Sequence, residues 1–347
     1  MTEITQIEGQ ILSAPLVFEE LAFFCGLKSD NTMRVFAVDL LSAVVVWDLE
    51  LAGFPPCYWS CGVIAGESLV TFDAGRILRV DLRTGRLLAE RDLGTDFHVT
   101  SPAVASEGTI YVATIRGELM ALASDLSTKW VVAGEAQAGI SNRVIYSPPA
   151  IVDQIIVYQT CGGWQGEVIA VNARTGKEIW RSSGRDGRGV PTVNDRFAFV
   201  HFVRKSQGVE PLSELQALQL STGERRWSVP IPGYPVDDPP LEGGCVLAGR
   251  RLYHCFRPGF LEARSWEDGQ LLWERPLTAD CRNAPVADSS CVFVVTETGS
   301  VGAFERETGS RQWSFELHDQ LSSTPAVSSH GIVITSRQGK LWIIKNE

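Results

Sequence analysis

The sequence predicts an all-β fold: an eight-bladed β-propeller of four-stranded antiparallel blades. Three observations carry this. The frame Ala-x-Asp/Asn-x-x-Thr-Gly-x-x-x-Trp recurs along the chain. A small-polar, Pro, apolar step precedes the copies, with one proline-free version, "SCGVI". The copies divide the 347 residues into eight units of about 43, the period of a four-stranded blade.

The fullest copy is "VNARTGKEIW", with Ala170, Asn172, Thr175, Gly176 and Trp180. The frame returns as Ala217, Thr222, Gly223, Trp227; as Ala263, Asp268, Gly269, Trp273; and as Ala303, Thr308, Gly309, Trp313. Ala37, Asp39 and Trp47 keep it without the glycine. Asp81, Thr84 and Gly85 keep the turn, with Ala89 in place of the indole. The copy from Ala121 to Trp130 is one residue shorter, and the last copy is "GKLWIIKNE". The preceding step reads "SAPLV", "SCGVI", "TSPAV", "SPPAI", "GVPTV", "NAPVA" and "STPAV"; for the sixth copy it falls within a few residues of "DPPLEGGCVL".

Each landmark has a physical role. Thr-Gly makes a tight hairpin between third and fourth strands, and glycine supplies the positive φ. Asp or Asn four residues earlier hydrogen-bonds the turn backbone. The Trp sits on the outer strand, where its ring wedges between adjacent sheets and its N–H reaches a backbone carbonyl. The third copy parses as "SPAVA", "TIYVAT", "ELMALA" and "TKWVVA", with strand-like alternation and no sustained helical period. One blade cannot bury both faces, whereas a closed ring leaves no end. "TEITQIEG" aligns with the outer-strand segment "KEIWRSSG". It is therefore expected to supply the fourth strand of the last blade, with Thr5 at the Trp position, which removes two free edges. The expectation is one domain over 1–347, monomeric as a closed ring.

The frame resembles the tryptophan-docking repeat of the bacterial pyrroloquinoline-quinone-type propellers, and the resemblance spans essentially the whole chain. That group includes the quinoprotein alcohol dehydrogenases and the propeller lipoprotein of the outer-membrane assembly machinery. The dehydrogenases imply a quinone cofactor, a bound calcium, a catalytic aspartate and adjacent cysteines. No Cys-Cys step occurs here, and Asp237-Asp238 is the only acidic pair near a predicted ring mouth. No cofactor is expected. The lipoprotein matches in size and blade number, but neither its export signal nor its lipid-bearing cysteine is expected here.

A net charge of −10 repels phosphate backbones, which argues against a nucleic-acid partner. "MTEITQIEGQILSAPLVF" has no basic start and no long apolar run. No signal peptide, membrane anchor or span is expected, and the cytoplasm is the expected compartment. The eight cysteines are then read as reduced thiols, with Cys25, Cys255 and Cys291 as small core residues. Cys57 and Cys61 offer two thiolates where a zinc site needs about four ligands. His98, His201, His254, His318 and His330 form no pair at ligand spacing, so no metal site is expected. "GRDGRG" at 184–189 looks like a phosphate-cradling loop, but no helix follows it. No nucleophile, zincin or calcium-loop motif appears.

A non-catalytic, protein-binding propeller follows: a scaffold, an assembly factor or an inhibitor of a partner. Its site is expected on the loop face around the central channel, because rigid strands position variable loops. The expected contact residues are Phe54, Tyr58 and Trp59 in the loop 52–62, Trp164 in 159–167, Arg143, Tyr146, Arg188, Asp237, Asp238 and Arg282. Trp59 and Trp164 lie outside the docking frame, so no core role is assigned to them. A third oversized loop, 204–214, carries Arg204 and Lys205. Small polar residues before each inner strand, Ser13 among them, are read as satisfying backbone groups where strands converge. The alternative is an enzyme or small-molecule binder at the channel mouth, using Asp237, Asp238, His98 and Arg188.

Overall fold

Short runs of alternating or continuous apolar residues, punctuated by Gly and Asp turns, fold as eight antiparallel sheets. The computed structural model describes residues 2–52, 61–73, 75–94, 99, 104–114, 116–133, 145, 147–162, 165–183, 186–187, 189–206, 209–231, 244–256, 259–281, 283–321 and 324–345. In blade 1 the inner strand is interrupted: Gly9–Ile11 and Leu16–Phe18 both pair with Leu21–Lys28, which is followed by Met33–Asp39 and Val44–Leu51. Ser13 sits at the break, fully buried, and its Oγ accepts from Cys25 N at 2.9 Å. Blades 2, 3, 4, 6 and 7 begin at Val63–Ala65, Val104–Ser106, Ala150–Val152, Val246–Ala248 and Val286–Ala287. They end at the outer strands Leu87–Asp92, Thr128–Val132, Glu178–Ser183, Leu271–Pro276 and Arg311–Glu316. Blade 5 also has a split inner strand, Asp186–Gly187 and Thr192–Val193.

Two segments expected as loops are strand. Ile155–Gly162 and Gln165–Asn172 remain paired out to Gly162 opposite Gln165. Phe197–Ser206 and Val209–Gln219 pair out to Ser206 opposite Val209. The insertions lengthen the central hairpins of blades 4 and 5, because continued cross-strand pairing satisfies backbone groups that an open loop would leave to water.

The apolar faces meet between blades, one core per interface. Phe23 and Val35 of blade 1 pack with Leu69 and Leu78 of blade 2. Five further cores join blades 2 to 7 in sequence. Phe293 and Val295 of blade 7 meet Ile332 and Ile334 of blade 8, and Val333 and Ile343 of blade 8 meet Phe24 and Val38 of blade 1. The cores form a closed cycle, so every sheet is covered on both faces. Fully burying each such side chain contributes about 1.5–3 kcal/mol.

Blade 8 is made from both ends of the sequence. Ala326–Ser328, Gly331–Thr335 and Lys340–Ile344 are completed by Thr2–Gln6. A register shift between Glu3 and Thr5 puts Thr2 opposite Ile343. Ile343 holds the place that Ala170 holds in blade 4, where the cross-strand partner is Trp180. Thr2, not Thr5, therefore occupies the Trp position. The offset is three residues: the bulge accounts for one, and the alignment with the outer-strand segment is out by two.

Candidate functional site

The recurring Thr-Gly and Trp belong to different blades. Trp47, Trp130, Trp180, Trp227 and Trp273 each donate Nε1–H to a carbonyl in the next blade's turn: Leu82 at 2.9 Å, Ala173 at 3.0 Å, Leu220 at 2.6 Å, Trp266 at 3.1 Å and Arg306 at 3.1 Å. Each indole also lies on that turn's glycine. A Cβ on Gly85, Gly176, Gly223, Gly269 or Gly309 would stand 2.6–2.9 Å from the ring. These glycines have positive φ, and the expected Asp or Asn acceptor ties two of the turns, with Glu305 doing so before Gly309. Asp81 Oδ1 accepts from Thr84 N at 2.8 Å and Thr84 Oγ1 at 2.7 Å, and Asn172 does the same for Thr175.

Where the donor blade lacks the indole, the receiving turn lacks the glycine. Blade 2 offers Ala89, and the blade 3 turn carries Leu126 at φ 67°, buried beside Ala89 and Leu93. Blade 8 offers Thr2, and the blade 1 turn carries Ala43 at φ 63°. Close approach of the ring, more than φ alone, selects glycine here.

The ten residues expected to contact a partner (Phe54, Tyr58, Trp59, Arg143, Tyr146, Trp164, Arg188, Asp237, Asp238, Arg282) all lie outside the described residues, as does His98. The side chains of Arg204 and Lys205 also lie outside them.

One structural position recurs in polar form. It is the residue two beyond the one paired with the frame alanine, on the second strand, facing the start of the next blade. Cys25 there contacts Cys61, and Cys255 contacts Cys281. In each pair a thiol–thiol hydrogen bond and burial push the first thiol well up. Six described cysteines are free, and Cys291, expected in the core, is only half-buried.

At the interface of blades 5 and 6 the same position holds His201, facing Cys245. His254 joins them from the second strand of blade 6, its ring centroid 4.6 Å from that of His201. The two histidines are far apart in sequence and form no pair at ligand spacing there, but the fold brings their rings together. The ligand atoms of His201, Cys245 and His254 lie within 4.8 Å of one another, all buried. Neither ring nitrogen of His201 has a hydrogen-bond partner among the described residues, nor does His254 Nδ1. Burial, then the neighbouring His254, hold the His201 imidazole well below its usual pKa; burial pushes the Cys245 thiol well up. Glu262 approaches His254 Nδ1 at 3.7 Å and is gripped by Arg264 Nε at 2.6 Å and Nη2 at 2.8 Å. Burial raises the Glu262 carboxyl, but His254 and Arg264 outweigh it and leave it below the usual range.

The sequence contains a usable signal for this cluster. His201 lies two residues after Phe199, the partner of Ala217, and His254 lies one residue after Tyr253, the partner of Ala263. That parity turns the two rings toward the same interface.

The family model for outer membrane protein assembly factor BamB matches residues 73–233 and 211–346. The chain belongs to this family. The outer membrane protein assembly factor BamB of Burkholderia pseudomallei is 25% identical over 300 residues, 82% of this chain and 73% of its own. The crystal structure of BamB from Moraxella catarrhalis superposes with a TM-score of 0.73 at 17% identity, covering 99% of both chains. A quinohemoprotein alcohol dehydrogenase from Pseudomonas putida gives 0.68 at 11% identity, over 98% of this chain and 72% of its own. The last two likenesses concern the fold. The BamB relatives overturn the expected cytoplasmic location, since they are named for assembly at the outer membrane. Among the described residues, no thiol pair has the adjacent-cysteine form that the dehydrogenases imply. The thiol pairs Cys25–Cys61 and Cys255–Cys281 are not adjacent in sequence, and each is buried inside an interblade core.

Proposed function

We propose that the chain is a non-catalytic propeller that binds a protein partner during outer membrane protein assembly, through the loop face around its channel. The observation that carries this is the family match across 73–346, in a chain whose repeat is spent on holding blades together. Trp180, Trp227 and Trp273, the fullest copies of the frame, are buried in docking contacts and have no free face to offer. Recognition then falls to residues outside the frame. Phe54, Tyr58, Trp59 and Trp164 are the aromatic anchors, and Arg143, Arg188 and Arg282 set local charge against the acidic whole.

The test is affinity purification of the tagged chain from its native cell, with and without Phe54, Tyr58, Trp59 and Trp164 replaced by serine. Outer-membrane assembly proteins are expected with the unaltered chain and lost with the variant. Recovery of no such protein with the unaltered chain overturns the function; equal recovery with the variant overturns the chosen rim.

A further inference from the structure

We propose that His201, Cys245 and His254 form a metal site between blades 5 and 6 for a thiophilic divalent cation of the zinc class. Two imidazoles and one thiolate are a donor set that zinc takes, with a fourth position left for water or a carboxylate. Three ligand atoms within 4.8 Å of one another are only slightly wider than the roughly 3.3–3.8 Å spacing of a filled tetrahedral site. Small rotamer shifts close that gap.

The second observation is the state of the imidazoles. A buried polar group without a partner costs about 1–3 kcal/mol. His201 is 2% exposed, and neither of its nitrogens has a hydrogen-bond partner among the described residues. An apolar side chain would fill that interface without the penalty, as Phe72 does at the equivalent place in blade 2. A bound cation removes the penalty and joins the two blades directly. Glu262 completes the arrangement from behind. Its carboxylate, fixed by Arg264, is placed to accept a hydrogen bond from Nδ1–H of His254 after a small closure of the 3.7 Å gap, which leaves Nε2 to bind. Thr192 Oγ1, donating to Cys245 O at 2.7 Å, anchors the backbone of the thiol ligand.

The site also lies where blade 5 has its split inner strand, so a metal would brace that joint. Binding releases the thiol proton to solvent and involves no redox change.

The experiment uses the untagged full chain, dialysed against a chelator, reduced, and titrated with Zn2+ and with Co2+. One equivalent of either is expected to bind, Co2+ with thiolate-to-cobalt charge-transfer absorption. Tm is expected to rise by about 4 °C when free Zn2+ is a hundred times Kd. Cys245→Ser abolishes the absorption, and His201→Gln abolishes stoichiometric binding. Cys25→Ser with Cys61→Ser, and Cys255→Ser with Cys281→Ser, leave both unchanged. No saturable equivalent in the unaltered chain overturns the proposal without reference to any variant. Binding that survives His201→Gln and Cys245→Ser, or that is lost with either thiol pair, overturns it as well.

Discussion

The indole of Trp180 in blade 4 lies so flat against Gly223 in blade 5 that a Cβ on the glycine would stand 2.6 Å from the ring. The ring's N–H simultaneously reaches Leu220 O at 2.6 Å. One contact thus joins two sheets through sterics and a directional bond. Trp180→Ala is expected to lose about 3–5 kcal/mol through the cavity. Gly223→Ala loses about 1–3 kcal/mol through overpacking, with added strain at φ 73°. Urea unfolding of both single variants and the double variant measures this. The losses must be less than additive, because the ring and the glycine share one contact.

Leu126 and Ala89 make the reciprocal case. Leu126 fills the space that an indole takes at the other docking turns. Ala89→Trp alone is expected to destabilise by about 1–3 kcal/mol, since two large groups then compete. Ala89→Trp with Leu126→Gly rebuilds the docking pair and recovers most of that loss. Thermal unfolding of the four proteins decides it, and a double variant worse than either single one contradicts the docking rule.

The turn carboxylates give a pH dependence of definite sign. The Thr84 hydroxyl and N–H hold Asp81 below 3.8; Ser42 does this for Asp39, and Thr308 holds Glu305 below 4.5. A lowered folded pKa contributes stability that is present above the unfolded value and lost as pH falls through the folded one. The urea midpoint is therefore expected to fall as pH drops below about 4. Asp81→Asn keeps the acceptor, as Asn172 does in blade 4, and shows a shallower acid limb.

The buried thiols are expected to be inert in the folded chain. Cys25, Cys245 and Cys255 are held protonated well above 9.0. Alkylation at neutral pH should leave these three unmodified in the metal-free native protein and label them in urea. Mass spectrometry of the labelled peptides reads the outcome, and rapid native labelling of Cys255 would contradict its placement in the core.

The fold was legible because the repeat is written in residues that the ring itself requires. Gly85, Gly176 and Trp180 carry the same geometry wherever they occur, so spacing alone located the blades. Alignment puts Thr5 at the Trp position, three residues from Thr2, because the first strand carries no Thr-Gly turn to fix its register and a bulge adds one residue more. The central hairpins of blades 4 and 5 read as loops because "QTCGGWQGE" and "RKSQGVEPLSE" are rich in polar residues and glycine, whereas pairing is decided by the partner strand. Cys25 with Cys61 and His201 with His254 were missed for another reason. Cys25 and His201 sit at one ring position but differ in chemistry from blade to blade, and a search for repeats sees only what repeats. The rim residues depend on loops that carry no frame at all.

Thr2–Gln6 acts as the clasp of a bracelet. It is a strand of five residues, and the link it makes to blade 1 carries neither an indole nor a receiving glycine. Releasing it would change a stiff annulus into a curved ribbon and let the rim splay. The seam between blades 8 and 1 is thereby mechanically tied to one short strand, and a pull or a cut there would loosen the whole ring.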